Sequence, residues 1–279
     1  MRFSKWHGLG NDFVIVNGLE EKVTDYKEAA IQVCDRRFGV GADGLVFVLP
    51  SKTADFQMRI FNSDGSEAEM CGNVTRCVMR FVKENGLTDK TAITLETLAG
   101  PIKPELILVD GVATGAKVDM GLPRLKREEI PMTGNAGEQA VNVPLEVDGQ
   151  TYFGTAVSMG NPHFVIFVDD IDALKLAEIG PKIEMHPAFP RKTNVEFVQV
   201  LNQTELRMRV WERGAGITMA CGTGACATLV AAAVNNKSGR QATIHLDGGN
   251  LEVEWGMDGH IYMTGPAVEV FRGEFLPKL

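Results

Sequence analysis

Between residues 74 and 82 the apolar side chains Val74, Cys77, Val78, Phe81 and Val82 recur at i, i+3, i+4, i+7 and i+8. That spacing predicts an amphipathic helix with one face turned to a core, ending near Asn85-Gly86. Residues 225–234 follow another rule, being apolar on every side. A helix of that kind in a soluble chain has to be surrounded, so it is expected inside a sheet that wraps it. Apolar runs predict strands at 2–5, 13–16, 45–49, 56–61, 92–97 and 118–120. A further helix is expected at 26–36, opened by Asp25 with Glu28 three residues on. Its apolar stripe would be Tyr26, Ala30, Val33, Cys34 and Phe38. Residues 38–44 read as a glycine-rich turn whose spacing does not match a dinucleotide fingerprint. Residues 121–149, with several Pro and Gly, read as a connection between two halves.

Those halves are repeats. Gly10-Asn11 recurs as Gly160-Asn161, Met58-Arg59 as Met208-Arg209, Cys71-Gly72 as Cys221-Gly222 and Asn85 as Asn235, each 150 positions later. Asn62 and Glu212, which follow the matched strands, keep the same offset. Several matches in one order at one offset indicate duplication.

Composition narrows the field of partners. At 279 residues, 44% hydrophobic and 23% charged, the chain has material for two ordinary cores. Its net charge of −8, without clustered Lys or Arg, argues against nucleic acid or an anionic membrane as partner. No apolar stretch approaches the length of a membrane span, and the first residues lack a signal pattern, so a cytoplasmic protein is expected. Five cysteines, an odd number, speak for reduced thiols rather than a disulfide framework. Neither the Cys71–Cys77 nor the Cys221–Cys226 spacing suits zinc, and no metal is expected.

Cys34, Cys77 and Cys226 fall inside helical stretches and are expected in the core. Cys71 and Cys221 differ, because each precedes Gly and a small polar residue (Asn73, Thr223) at the start of a helix. The unpaired amides and dipole of a helix N-terminus are expected to lower a thiol's pKa and to leave donors for a carboxylate. Two such thiols converging where the halves meet could take a proton from one face of a carbon and replace it on the other, with no cofactor needed. His163 lies in the repeat of the Gly10-Asn11 turn, where a role beside a thiol and a structural role are both open. Arg213, flanked by Glu212 and Gly214-Ala215-Gly216, suits either a carboxylate clamp or an ordinary ion pair. His7 has no repeat counterpart, and His186, His245 and His260 carry no context beyond structure or surface.

The residues His7-Gly8-Leu9-Gly10-Asn11-Asp12-Phe13, Phe61-Asn62-Ser63-Asp64-Gly65-Ser66 and Cys71-Gly72-Asn73 form the first part of a longer series. Ser158-Met159-Gly160-Asn161-Pro162-His163, Glu212-Arg213-Gly214-Ala215-Gly216 and Ala220-Cys221-Gly222-Thr223-Gly224-Ala225-Cys226 complete it. In this order they resemble the diaminopimelate epimerases, cofactor-independent enzymes of lysine and peptidoglycan precursor synthesis. The resemblance implies an α+β fold of two pseudo-symmetric domains, each a curled sheet wrapped around a central helix. It places residues 1–118 with 267–279 in one half and 119–266 in the other. Cys71 and Cys221 would be base and acid, with His163 and Glu212 tuning them. Amides at Gly72, Asn73, Gly222 and Thr223 would hold the reacting carboxylate. Asn62, Asn194, Glu212 and Arg213 would read the distant amino-acid end, with Asn11 and Asn161 lining the pocket. A small amino-acid substrate and a homodimer are implied, with neither cofactor nor metal. Three positions depart from common family residues: Val74 where Gly is usual, Ile217 where many have Glu, and Gly44 where some have Gln. Val74 is expected to crowd its surroundings, and Ile217 to remove a carboxylate near the second thiol.

Three rival readings stand beside this one. A cofactor-independent racemase of another amino acid would use the same thiols but would not need Glu212, Arg213 and the asparagines beyond them. A cysteine hydrolase would pair one thiol with His163 and leave the other unexplained. A binding module would hold substrate without exchange at the α-carbon.

Overall fold

The computed structural model describes residues 1–276, so residues 277–279 of the expected first half lie outside the described residues. It divides into two compact units, Met1–Asp119 with the segment returning from Thr264, and Met120–Met263. In the first unit the order is β1 (Arg2–Gly8), β2 (Asn11–Asn17), α1 (Tyr26–Cys34), β3 (Gly44–Leu49), β4 (Phe56–Asn62), β5 (Glu67–Ala68) and α2 (Gly72–Glu84). The short β6 (Leu95–Thr97) and β7 (Gly100–Ile102) and the hairpin β8 (Pro104–Val109) and β9 (Val112–Asp119) follow. The second unit runs β10 (Val143–Val147), β11 (Gln150–Ser158), β12 (Pro162–Phe167), α3 (Leu176–Glu184), β13 (Asn194–Asn202), β14 (Glu205–Glu212), β15 (Gly216–Ile217) and α4 (Gly222–Val234). After β16 (Gln241–Leu246) and β17 (Gly249–Trp255), β18 (Ile261–Pro266) carries the chain out of the second unit. β19 (Val268–Glu274) then pairs antiparallel with β1.

The duplication is visible strand by strand. β1–β2 is antiparallel, β2–β3 parallel, β3–β4 antiparallel, β4–β6 parallel and β6–β7 antiparallel. The second unit repeats the series through β11, β12, β13, β14, β16 and β17. Register is kept as well, since Phe13 faces Gly44 in the first unit as His163 faces Asn194 in the second. α1 and α3, like α2 and α4, lie at the repeat's offset from one another. The fold is thus α+β and pseudo-symmetric, as the resemblance implied.

Each unit encloses one helix. In the first, Val74, Cys77, Val78, Phe81 and Val82 of α2 are buried against Trp6, Ile15, Val46, Met58 and Leu106. Each such aliphatic or aromatic side chain contributes roughly 1.5–3 kcal/mol on burial. The predicted face is therefore the inward one, but burial goes further, because Asn73, Thr75 and Arg76 are also shielded. α4 is buried over Gly222 and residues 224–232 and packs against β11, β12, β13, β14, β16 and β17. Its all-round apolarity matches that enclosure.

Three expectations need correction. α1 stops at Cys34, because the Asp35 carboxylate accepts from the amides of Arg37 and Phe38 and turns the chain. Phe38 is consequently 72% exposed and lies off the apolar stripe. Residues 121–149 are more than a connection, since β10 occupies their end.

Candidate active site

In the first unit the turn between β1 and β2 is built by Leu9 and Gly10, with φ of 58° and 84°. Two successive residues with positive φ make the tight turn whose twist suits a two-residue hairpin, and they place Asn11 at the start of β2. Cys71 is the N-cap of α2, in extended conformation, and is partly exposed. Its Sγ lies 3.9 Å from Asn11 Oδ1, and Asn73 Nδ2 donates to the same oxygen at 3.0 Å. Asn11 Nδ2 in turn donates to Asp43 Oδ2 at 2.8 Å. Asp43 belongs to a charged cluster that the sequence reading missed. Arg36 binds Asp12 and Asp43, each at 2.7 Å, and the buried Lys5 binds Asp12 at 2.6 Å. Burial would raise the Asp12 carboxyl, but hydrogen bonds from Arg36 and Lys5 and the Lys5 charge hold it down at about 2.

In the second unit Cys221 is the N-cap of α4, and its Sγ accepts from Gly224 N at 3.3 Å. Thr223 Oγ1 lies 3.6 Å from that sulfur and receives Asn161 Nδ2 at 3.2 Å. Asn161 Oδ1 meets His163 Nε2 at 3.0 Å, while His163 Nδ1 meets Glu196 Oε1 at 2.6 Å. Both side chains of that last pair are wholly shielded from solvent. Asn161 and Thr223 stand where Asn11 and Asn73 stand in the first unit, so the repeat extends to the side chains flanking each thiol.

The dipole argument for an acidified thiol does not hold at Cys221. Burial pushes this thiol well above its ordinary value, and the charges of Glu212 and Glu196 add to the rise. Hydrogen bonds from Thr223 and the Gly224 amide offset part of it. At Cys221, then, desolvation and two carboxylates outweigh the helix end. Glu212 is itself raised, chiefly by burial, while hydrogen bonds from Thr218 and Cys221 and the His163 charge oppose the shift. Cys34 and Cys77 are pushed up to about 12, burial being the first cause, which suits core thiols.

The remaining candidates fall in several places. Asn62 is exposed at the end of β4, and its Nδ2 donates to Ser66 Oγ at 2.9 Å. Asn194 is buried, donating to Pro162 O at 2.8 Å and accepting from Arg213 N at 2.9 Å. The Arg213 side chain is exposed, with Nη1 donating to Arg191 O at 3.0 Å. The loop after Glu212 is braced by Glu184, which accepts from Trp211 Nε1 at 2.7 Å and Gly214 N at 3.1 Å. Gly44 opens β3. Val74 is taken up in the first unit's core, and Ile217 is half exposed beside Trp211. Of the residues the sequence reading missed, Glu196 had the plainest signal, a lone carboxylate inside the apolar run 195–198.

The family model for diaminopimelate epimerase matches residues 3–126 and 155–270. The chain belongs to the diaminopimelate epimerase family. It is 60% identical over 277 residues to the diaminopimelate epimerase of Moorella thermoacetica, covering 99% of each chain. It is 51% identical over 275 residues to that of Methanococcus maripaludis, covering 98% of this chain and 99% of the other. Among solved structures, a phenazine biosynthesis protein of the PhzF family from Bacillus anthracis aligns with a TM-score of 0.74 at 19% identity, over 99% of both chains. A hydroxyproline epimerase from Agrobacterium vitis aligns at 0.72 and 16% identity, over 98% of this chain and 91% of that one. At these identities the structures share the fold with this family member, and the sequence relatives carry the family assignment.

Proposed function

We propose that this protein converts LL-2,6-diaminopimelate to the meso isomer without a cofactor, by proton transfer between Cys71 and Cys221. The observation that carries the reading is the repeated thiol, a cysteine at a helix N-cap flanked by an asparagine contact, in a chain of this family. In the proposed reaction the Cys71 thiolate takes the α-proton, its S–H bond forming as the Cα–H bond breaks. The electron pair left behind spreads into the adjacent carboxylate, held by first-turn amides at Gly72, Asn73, Gly222 and Thr223. Cys221 gives its proton to the opposite face and becomes the thiolate. Reversal exchanges the roles. The high pKa of Cys221 keeps it a thiol, as the acid of the pair requires.

Glu212 and His163 would tune Cys221. Asn62, Asn194, Glu212 and Arg213 would read the distant amino-acid end, and Asn11 and Asn161 would line the pocket. The duplicated halves are taken as 1–118 with 267–279, and 119–266. A cytoplasmic homodimer is part of the same reading, and sedimentation at a monomer's mass would reject that part.

The test is proton NMR of LL-diaminopimelate in heavy water with reduced enzyme. Loss of the α-proton signal with growth of the meso isomer is expected, and neither change with Cys71→Ala or Cys221→Ala. Activity surviving loss of one thiol would point to a one-thiol chemistry such as hydrolysis.

A further inference from the structure

The proposed reaction gives Glu196 no task, yet it sits in a strand where Asn194, Val195, Phe197 and Val198 are all buried. A carboxylate in such a place is costly unless its partner holds it. Its Oε1 meets His163 Nδ1 at 2.6 Å, while Oε2 is buried with no hydrogen-bond partner among the described residues. The contact with His163 therefore anchors the carboxylate.

From His163 the contacts continue to the thiol. Nε2 reaches Asn161 Oδ1 at 3.0 Å, Asn161 Nδ2 reaches Thr223 Oγ1 at 3.2 Å, and Thr223 Oγ1 reaches Cys221 Sγ at 3.6 Å. Donor logic fixes the links as far as Thr223. An amide oxygen has no hydrogen to give, so Nε2 carries the hydrogen it shares with Asn161. Asn161 then turns its NH2 to Thr223, whose hydroxyl accepts there and still has its own hydrogen to give to the sulfur. With the amide reversed, that hydroxyl would have to donate to Asn161, and the sulfur would keep only the Gly224 amide as donor.

We propose that Glu196 is a positioning residue for Cys221, holding His163 so that its Nε2–H edge faces Asn161 and the Thr223 hydroxyl is aimed at sulfur. The contact between Oε1 and Nδ1 fixes the orientation of the ring, in which Nε2 keeps its hydrogen toward Asn161. Without Glu196 the ring is free to move that hydrogen to Nδ1. The device belongs to the second half alone, since the repeat places Phe13 and Val46 at the positions of His163 and Glu196. The inference rests on the reading of Cys221 as a reacting thiol.

Two measurements test it. Nitrogen NMR of the full chain carrying ¹⁵N-histidine, assigned with His163→Gln, should show hydrogen on Nε2 of His163. A bare Nε2 overturns the proposal, and no variant of Glu196 is needed for that result. In the α-proton exchange assay, Glu196→Gln, whose amide can donate to Nδ1, should keep kcat within about threefold, and Glu196→Val should lose about tenfold or more with KM little changed. Full kcat in Glu196→Val, or equal losses in both variants, overturns it. An unmodified enzyme that exchanges no α-proton refutes the proposed reaction and this inference together, whereas a bare Nε2 in an active enzyme refutes the inference alone.

Discussion

Asn11 donates its amide hydrogen to Asp43 Oδ2 across 2.8 Å, which leaves its own oxygen facing Asn73 Nδ2 at 3.0 Å. Its repeat counterpart, Asn161, is turned the other way, with oxygen toward His163 and nitrogen toward Thr223. Duplication has kept the backbone and diverged the polar contacts. Where the first half has Phe13, Gly44, Val46 and Asn62, the second has His163, Asn194, Glu196 and Glu212. The two thiols consequently sit in unlike surroundings, and exchanging their neighbours would not be neutral.

Asp43→Ala removes the acceptor that orients the Asn11 amide. The carboxylate's side chain is 43% exposed, so its loss should leave thermal stability within a few degrees of the parent. Activity should respond more strongly, kcat falling about tenfold as the Asn11 oxygen loses its fixed direction. Exchange kinetics and a melting curve on the same preparation separate the two effects. An unchanged kcat would show that the Asn11 orientation is irrelevant to turnover.

Glu212→Gln should make Cys221 more reactive toward iodoacetamide. Burial is the first cause of the raised thiol, and the Glu212 charge is the next. Removing that charge moves the pKa down, so more thiolate is present at any pH below it. Labelling of the Cys221 peptide at pH 8 should quicken about threefold or more, since one pK unit is worth tenfold in thiolate. The Cys71 peptide, read by mass spectrometry in the same digest, is the internal control. A slower Cys221 would mean that Glu212 favours the thiolate.

What the sequence made legible is what repetition and periodicity encode. The face of α2, the enclosure of α4 and the paired thiols were all readable from spacing or from the duplication. α3 was also within reach, since the repeat displaces Tyr26–Cys34 onto Leu176–Glu184. Pro181 inside it and a first turn without a side-chain cap obscure it locally. The clusters around the thiols were not legible, because their members come from separate strands. Lys5, Asp12, Arg36 and Asp43 meet only once β1, β2 and the turn after α1 are assembled. The raised pKa of Cys221 was misjudged for a related reason. A helix end is visible in sequence, whereas two carboxylates and near-complete burial are products of packing.

Asp12 should make the fold sensitive to acid. Its folded pKa, about 2, lies below the ordinary value of 3.8, so the folded state holds its proton less tightly than the unfolded chain. The resulting stability is present above pH 4 and is lost as pH falls through about 2. Asp12→Asn should cost about 2 kcal/mol at pH 7 and progressively less at lower pH. Urea unfolding at pH 7, 4 and 3 measures the gap between variant and parent. A gap that stays constant would mean that the carboxylate charge is not what contributes.

Gly224→Ala tests how tightly the second thiol is built. A Cβ at this position would lie 2.8 Å from Glu196 Oε1 and 3.2 Å from Cys221 Sγ. Glu196 is wholly buried and tied to His163, so the added methyl has to displace the carboxylate, the sulfur or the first turn of α4. In an exposed helix alanine would be the better residue by about 1 kcal/mol, and here the close contacts should reverse that sign. Stability is expected to fall by about 1–3 kcal/mol. The loss of kcat should exceed the loss in Glu196→Val, because the variant disturbs both the carboxylate and the amide that binds the sulfur. Unfolding and exchange assays on the same protein would decide the matter. A variant that is more stable and fully active would show that the first turn of α4 has slack that these distances deny.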